Sequence, residues 1–280
     1  MKPLVSVICV CYNHARFVVE ALESVKRQTY SNVELIIVDD GSRDESSQTI
    51  QHWVDKNPSC VFLDLKQNIG YTKAFNKAFR LAKGEFYIDL AADDVLLPDR
   101  IEKGVQGFIE KGEHYAIQFS DAQFIDTAGK PIGKHSDKFP HHTIPQGDVY
   151  AEVIQRYFIC SPTMLVRKSL LDALGGYDEN LTYEDFDLWV RVARNHLFFY
   201  IPEVLILKRL VPGSLGQQQY ARNSKQMDST FLICQKIKEM NRTSAEREAL
   251  KTRIFYEMRQ SLRFGNWRLA MNYGKLLLSA

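Results

Sequence analysis

Apolar, β-branched runs alternate with amphipathic helical segments four times in about the first 110 residues, and this alternation restricts the fold more than any other feature of the chain. Residues 4–11 form a nearly unbroken apolar run, as expected of a strand covered on both faces. Residues 17–28 follow with Val18, Ala21, Leu22 and Val25 on one helical face. A second strand, 33–38, stops at Asp39-Asp40-Gly41-Ser42. The pattern then reads as a helix over 46–54, a strand over 60–65, a helix over 72–83 and a fourth strand over 85–90. Ala91-Ala92-Asp93-Asp94 ends that strand, and Pro98 opens a helix to about Lys111, at a position where its missing N–H costs nothing. Such a pattern builds an α/β layer on a mostly parallel sheet, which binds ligands at the carboxyl ends of its strands. Asn13, Asp39/Asp40 and Asp93/Asp94 follow strands one, two and four, and are the candidate site residues.

The second half is less regular. Residues 115–124 read as a strand, 126–131 as a turn and 136–147 as a loop containing His141 and His142 next to His135. Residues 149–157 and 168–174 read as helices around a strand at 164–166. Residues 184–195 are helical, and 197–206 are extended with an interruption at Pro202. From 217 the pattern is helical, with helices at 245–264 and 267–278 broken near Gly265. Three segments result: 1–125, 126–216 and a C-terminal helical extension, 217–280.

The formal charge of +2 conceals two opposed regions. Residues 217–280 carry 12 Lys/Arg and 5 Asp/Glu, whereas residues 1–216 carry a net −5. No global basic excess marks a nucleic-acid binder. The five cysteines include no CxxC pair and no zinc-type cluster with His, so reduced, buried thiols in a cytoplasmic protein are expected. Cys9 and Cys11, two apart on a strand, share one face and pack there. No apolar run is long enough to span a bilayer, and the start of the chain reads as a buried strand rather than a signal peptide.

Each candidate has a structural as well as a chemical reading. Asp93 and Asp94 could hold a phosphate only through a divalent cation, or could cap the following helix. Asp39-Asp40-Gly41-Ser42 could belong to a site, or could be a strand-ending turn. Asn76, on a helix after Asn68-Ile69-Gly70, is equally open. Glu184-Asp185 suits the first turn of a helix, and Asp187, two residues on, faces elsewhere. Trp189 reads as core. Neither GxGxxG nor GxxxxGK is present to cradle a phosphate directly.

Taken together in order, these motifs resemble the family 2 inverting glycosyltransferases, which have the GT-A fold. The resemblance starts with Val5-Ser6-Val7-Ile8, Tyr12-Asn13 and Glu34 to Ser42. It continues through Asn68-Ile69-Gly70, Ala74-Phe75-Asn76, Asp93-Asp94 and Leu97-Pro98. Gly175-Gly176-Tyr177-Asp178 and Tyr183-Glu184-Asp185-Phe186 extend it, so that it covers 4 to about 216. It implies that Tyr12, Asn13 and Asp39 surround the nucleotide base, with Asp40 and Asn76 towards the nucleoside. It implies that Asp93 approaches the ribose, that Asp94 binds Mg²⁺ or Mn²⁺ on the diphosphate, and that Asp185 is the catalytic base.

Two positions depart from the family pattern. Ala91 replaces the first acid of the usual Asp-Ala-Asp-Asp, and Val211 stands where a His is common. Arg209, Ser214 or Gln217-Gln218-Gln219 are candidates to compensate. The resemblance implies a nucleotide-diphosphate-sugar donor, a glycan or lipid-linked acceptor with no nucleic-acid partner, and a product such as a bacterial surface polysaccharide. A non-catalytic sugar-nucleotide or glycan-binding module is the alternative; a nucleotidyltransferase lacks support, since no glycine-rich basic loop lies near the N-terminus. The basic helices at 217–280 are either a packed annex or a peripheral contact with the inner face of the plasma membrane.

Overall fold

A computed structural model describes residues 2–139, 143–214 and 219–279. His141, His142, Gln217 and Gln218 therefore lie outside the described residues. The chain forms two compact units interleaved along the sequence: 1–144, 159–177 and 198–210, and 145–158, 178–197 and 211–280.

The first unit is built on a nine-stranded sheet. Its start follows the expected alternation: β1 (Val5–Cys11), α1 (Val18–Lys26), β2 (Val33–Asp39), α2 (Ser46–Asp55), β3 (Val61–Asp64), α3 (Tyr71–Phe79) and β4 (Phe86–Ala91). β1 is central and parallel to β2 and β4, with Val5 level with Val33 and Phe86. β3 adds in parallel outside β2. The remaining strands are β5 (Val95–Leu96), β6 (Tyr115–Ile125), β7 (Pro131–Lys134), β8 (Leu165–Arg167) and β9 (Leu197–Arg209), with α4 (Arg100–Lys111) after β5. In this half β4 pairs with β8, β8 with β6, β6 with β7 and β9 with β5, all antiparallel.

Period-two alternation assigns the two faces of the sheet. Val5, Val7, Cys9 and Cys11 pack with Leu22, Ile50, Ile101 and Phe108 from α1, α2 and α4 in one core. On the opposite face Tyr87 meets Phe79 of α3 edge-on at 5.3 Å between centroids. All five cysteines are free, and four are buried.

Two details differ from the sequence reading. β5 and β7 are too short, at two and four residues, for periodicity to reveal. β9 runs unbroken through Pro202, which is exposed, so its missing donor leaves no buried acceptor unpaired. His135 lies in a loop, as its sequence context suggests, and is buried there with its ring against Phe124 and Phe139.

The second unit is helical: α5 (Tyr150–Gln155), α7 (Glu184–Ala193), α8 (Lys225–Met240), α9 (Ser244–Arg263) and α10 (Trp267–Ser279); α6 (Lys168–Ala173) belongs to the first unit. Trp189 on α7 is core, as its spacing predicts. Arg253 on α9 is buried, donates to the Ile154 carbonyl at 2.7 Å and pairs with Glu257 at 3.2 Å. Its guanidinium lies 3.9 Å from the centroid of the Tyr157 ring. Thr243 and Glu246 form a reciprocal capping box at the start of α9.

Glu246 also accepts from Arg194, which caps the C-terminus of α7, at 2.9 Å. That bond, with the Arg242 and Thr243 N–H groups, holds its carboxyl down at about 2 rather than the usual 4.5. A lowered carboxyl stabilises the fold above its unfolded value and loses that contribution as pH falls towards the folded value. The stability gap between wild type and Glu246→Gln, measured by urea unfolding, should therefore narrow by about 1 kcal/mol between pH 6 and about 3.5. A gap independent of pH would contradict this role.

Candidate active site

In the first unit the loops after β1, β2 and β3 are tied together by carboxylates at the carboxyl edge of the sheet. Asn13 adopts a left-handed conformation at φ 58°, which Asn tolerates better than most residues. Its N–H donates to the Ser42 hydroxyl at 2.9 Å, and its Oδ1 accepts from the Arg43 N–H at 2.7 Å. Asp39 closes its own turn by accepting from the Ser42 N–H at 2.8 Å and the Ser42 hydroxyl at 2.6 Å. Asp40 reaches across to the loop after β3, where its two oxygens accept the Ile69 and Gly70 N–H groups at 2.8 and 3.0 Å.

Both aspartates are buried, whereas Tyr12 and Asn13 are exposed. Burial pushes the Asp40 carboxyl up, and its two N–H donors partly offset that. Gly41, at φ 67°, allows the close approach: a Cβ there would lie 2.4 Å from the Asn68 nitrogen. Each carboxylate oxygen can accept a second bond, so Asp39 keeps acceptor capacity beyond Ser42.

The second group follows β4. Asp94 is buried, and its Oδ1 accepts the Arg209 backbone N–H at 2.8 Å. β5 begins at the next residue and pairs with Ile206 and Leu207 of β9, which fixes this approach. The Arg209 side chain donates to the carbonyls of Asp93 at 3.0 Å and Asp126 at 3.2 Å, and to Glu20 at 2.6 Å. Its guanidinium is thus a brace for the Asp93-Asp94 loop, a role that no sequence spacing signals. Burial, then the charge of Asp93, pushes the Asp94 carboxyl up to about 7, against the pull of Lys208 and Arg209.

A divalent cation fits this pair chemically, because it would relieve the charge that burial penalises. Among the described residues no three His, Cys, Asp or Glu side chains are grouped to hold a metal. Mg²⁺ is commonly held by one or two carboxylates, with phosphates and water completing its shell.

Asn76 is brought to a different task. Its Nδ2 donates to the Tyr177 carbonyl at 2.8 Å, and its Oδ1 accepts the Tyr177 N–H at 2.9 Å. Gly176 lies beneath it, where a Cβ would come within 2.7 Å of that oxygen. The amide thus clasps the Gly175-Gly176-Tyr177 turn. Asp89 on β4, absent from the sequence-derived set, accepts the hydroxyls of Tyr71 at 2.5 Å and Tyr177 at 3.3 Å and holds the same region.

In the second unit Asp185 is the second residue of α7, in a first turn shared with Glu184 and Asp187. Acidic side chains there complement the positive end of the helix. Asp185 is half-buried. Asp187, two residues on, is buried and paired with Arg191 at 2.7 Å and Lys236 at 2.8 Å. Those pairs give it a structural role. Ser214 lies in a turn, its N–H donating to the Val211 carbonyl at 3.1 Å.

Comparison with known proteins places this constellation. Residues 6–175 match the family model for glycosyl transferase family 2. The chain is 30% identical over 215 residues to an uncharacterised glycosyltransferase of Methanocaldococcus jannaschii, covering 76% of this chain and 72% of that one. It is 26% identical over 243 residues to the putative teichuronic acid biosynthesis glycosyltransferase TuaG of Bacillus subtilis, covering 86% of this chain and 90% of that one. Among solved structures, a mannosyltransferase from Pyrobaculum calidifontis in complex with GDP-Man and Mn²⁺ is similar in fold, with a TM-score of 0.69 at 16% identity. That match covers 100% of this chain and 75% of the other. The chain belongs to glycosyl transferase family 2 and has the GT-A fold.

The Asp40 clasp has a measurable consequence. Asp40→Ala leaves the Ile69 and Gly70 N–H groups without their acceptor and should lower unfolding free energy by about 1–3 kcal/mol. Urea denaturation measures this, and an unchanged midpoint would show that the loops hold without the clasp.

Proposed function

We propose that this family 2 glycosyltransferase moves a sugar, with inversion, from a nucleotide-diphosphate-sugar donor to a hydroxyl on a glycan or lipid-linked acceptor. Donor binding is assigned to residues 1–125 and acceptor binding to 126–216. The observation that carries the reading is the cluster of carboxylates at the carboxyl edge of the sheet, where Asp94 lies buried beside Asp93 in a member of this family. The mannosyltransferase of similar fold was solved with GDP-Man and Mn²⁺, which supports a sugar-nucleotide donor and a divalent cation. The TuaG relative, named for teichuronic acid biosynthesis, supports a product among bacterial surface polysaccharides; the reaction is assigned to the cytoplasm, at the inner face of the plasma membrane.

In this mechanism Tyr12, Asn13 and Asp39 bind the base, with Asp39 accepting from it. Asp40 acts from beside it by fixing the loop that carries Ile69 and Gly70. Asn76 contributes by holding the Gly176-Tyr177 turn, and Asp93 approaches the ribose. Asp94 would hold Mg²⁺ or Mn²⁺, which when bound neutralises charge gathering on the departing diphosphate. Asp185 takes the proton from the acceptor hydroxyl as that oxygen attacks the anomeric carbon from the face opposite the leaving group. One displacement of this kind inverts the centre and needs no covalent nucleophile on the enzyme.

A second reading, a sugar-nucleotide or glycan-binding module without catalysis, draws on Ala91 and Val211, where the family commonly has an acid and a His. Slow hydrolysis of the donor in the absence of acceptor separates the two readings: it belongs only to the enzyme.

Two substitutions test the roles. Asp185→Asn should reduce transfer by about 10²- to 10⁴-fold and leave donor affinity nearly unchanged; near-normal turnover would remove Asp185 as the base. Asp94→Ala should abolish the metal-dependent part of nucleotide binding in calorimetry. If wild type binds the donor equally well with a chelator present, the cation has no part in binding.

A further inference from the structure

The outer side of the C-terminal helices in the second unit carries large apolar side chains in an unusual concentration for a solvent-facing surface. α10 buries Leu269, Ala270, Tyr273 and Leu276. Tyr273 meets Phe231 of α8 edge-on at 5.1 Å between centroids, so this side has its partners within the unit. The other side presents Trp267, Met271 and Leu278, which are 66%, 63% and 92% exposed. Steps of four and seven residues place the three within about 40° of one another around a helix of 3.6 residues per turn.

The stripe continues onto α9. Gly274, between Met271 and Leu278, faces Met258 of α9, whose sulfur is 4.0 Å from where a Cβ would stand. Phe255 and Leu262, three residues before Met258 and four after it, share its face of α9 and are both exposed.

Charge identifies what this surface fits. In the described residues from 255 onward, Arg259, Arg263, Arg268 and Lys275 are all exposed. The one carboxylate side chain in that stretch, Glu257, is buried and paired with Arg253. A second copy of this chain would set cation against cation. An anionic bilayer surface suits both features: Trp, Phe and Leu enter the interface, while guanidinium and ammonium groups remain among the headgroup phosphates.

We infer that the outer face of α9 and α10 is a docking surface for anionic phospholipid, by which the enzyme sits on a membrane. No helix among the described residues is long and apolar enough to cross one. The inference deepens the transferase reading and rests on it only for purpose, the delivery of the site to a lipid-linked acceptor. Lipid binding itself requires no catalysis.

Vesicle sedimentation of the full chain tests it, with phosphatidylcholine vesicles compared with vesicles containing about one-third phosphatidylglycerol. The protein should partition at least about tenfold more strongly to the anionic vesicles, and less so as salt is raised. Trp267→Ser with Leu278→Ser, and separately Arg263→Glu with Arg268→Glu, should each lose about tenfold while keeping the wild-type unfolding midpoint. Equal partitioning to both vesicle types, or no effect of either double variant, overturns the inference. So does self-association that Trp267→Ser abolishes, with no vesicle binding, since that assigns the face to a second copy. Transfer to a soluble acceptor is read in parallel: lost vesicle binding with intact transfer overturns only the docking surface. Intact vesicle binding without transfer counts against the transferase reading alone.

Discussion

Buried carboxylates that accept backbone N–H groups hold the carboxyl edge of the sheet together, and the site depends on them. A parallel sheet ends its strands at one edge, but the loops there leave that edge with donors to satisfy. Asp39 closes the turn after β2, Asp40 draws in the loop after β3, and Asp94 takes the last N–H of β9. The arrangement has an electrostatic cost, seen in the raised Asp40 and Asp94 carboxyls. The result is a rim lined with carboxylates. In the proposed function such a rim would repel a bare diphosphate and accept one that arrives with a divalent cation.

The edge was legible in the sequence because it is made by local patterns. Each apolar run predicts a strand, and the polar residue after it predicts a position on the rim, which places Asn13, Asp39, Asp40, Asp93 and Asp94 without any tertiary information. What periodicity does not carry is partnership over long separations. Asp94 and Arg209 are 115 residues apart, and Asn76 and Tyr177 are 101. Arg209 therefore looked like a substitute phosphate ligand in the sequence, and Asn76 like a nucleoside contact, whereas their side chains brace loops. β5 escaped notice for a related reason: two residues show no alternation, and only pairing with β9 makes them a strand.

The basic C-terminal segment divides in the same physical terms. Part of its charge is internal: Lys236 pairs with Asp178 and Asp187, and Arg253 with Glu257 beneath the Tyr157 ring. These pairs fasten α8 to α7 and cross-link α9, so that the helix carrying Asp185 is held by its neighbours in the second unit. Other cations are exposed, among them Arg268 and Lys275 on the helix that carries Trp267 and Met271. The packed annex, one of the two alternatives at the level of sequence, describes the inner side of these helices, and the membrane-facing surface is the proposal for their outer side.

The central claim is a single displacement at the anomeric carbon, with Asp185 taking the acceptor proton. Its stereochemistry is the most direct test. Proton NMR of the product, taken before any slow equilibration, reports the anomeric configuration of the transferred sugar. Inversion gives the anomer opposite to that of the donor. A product that retains the donor configuration would require two displacements or a different mechanism, and would contradict it.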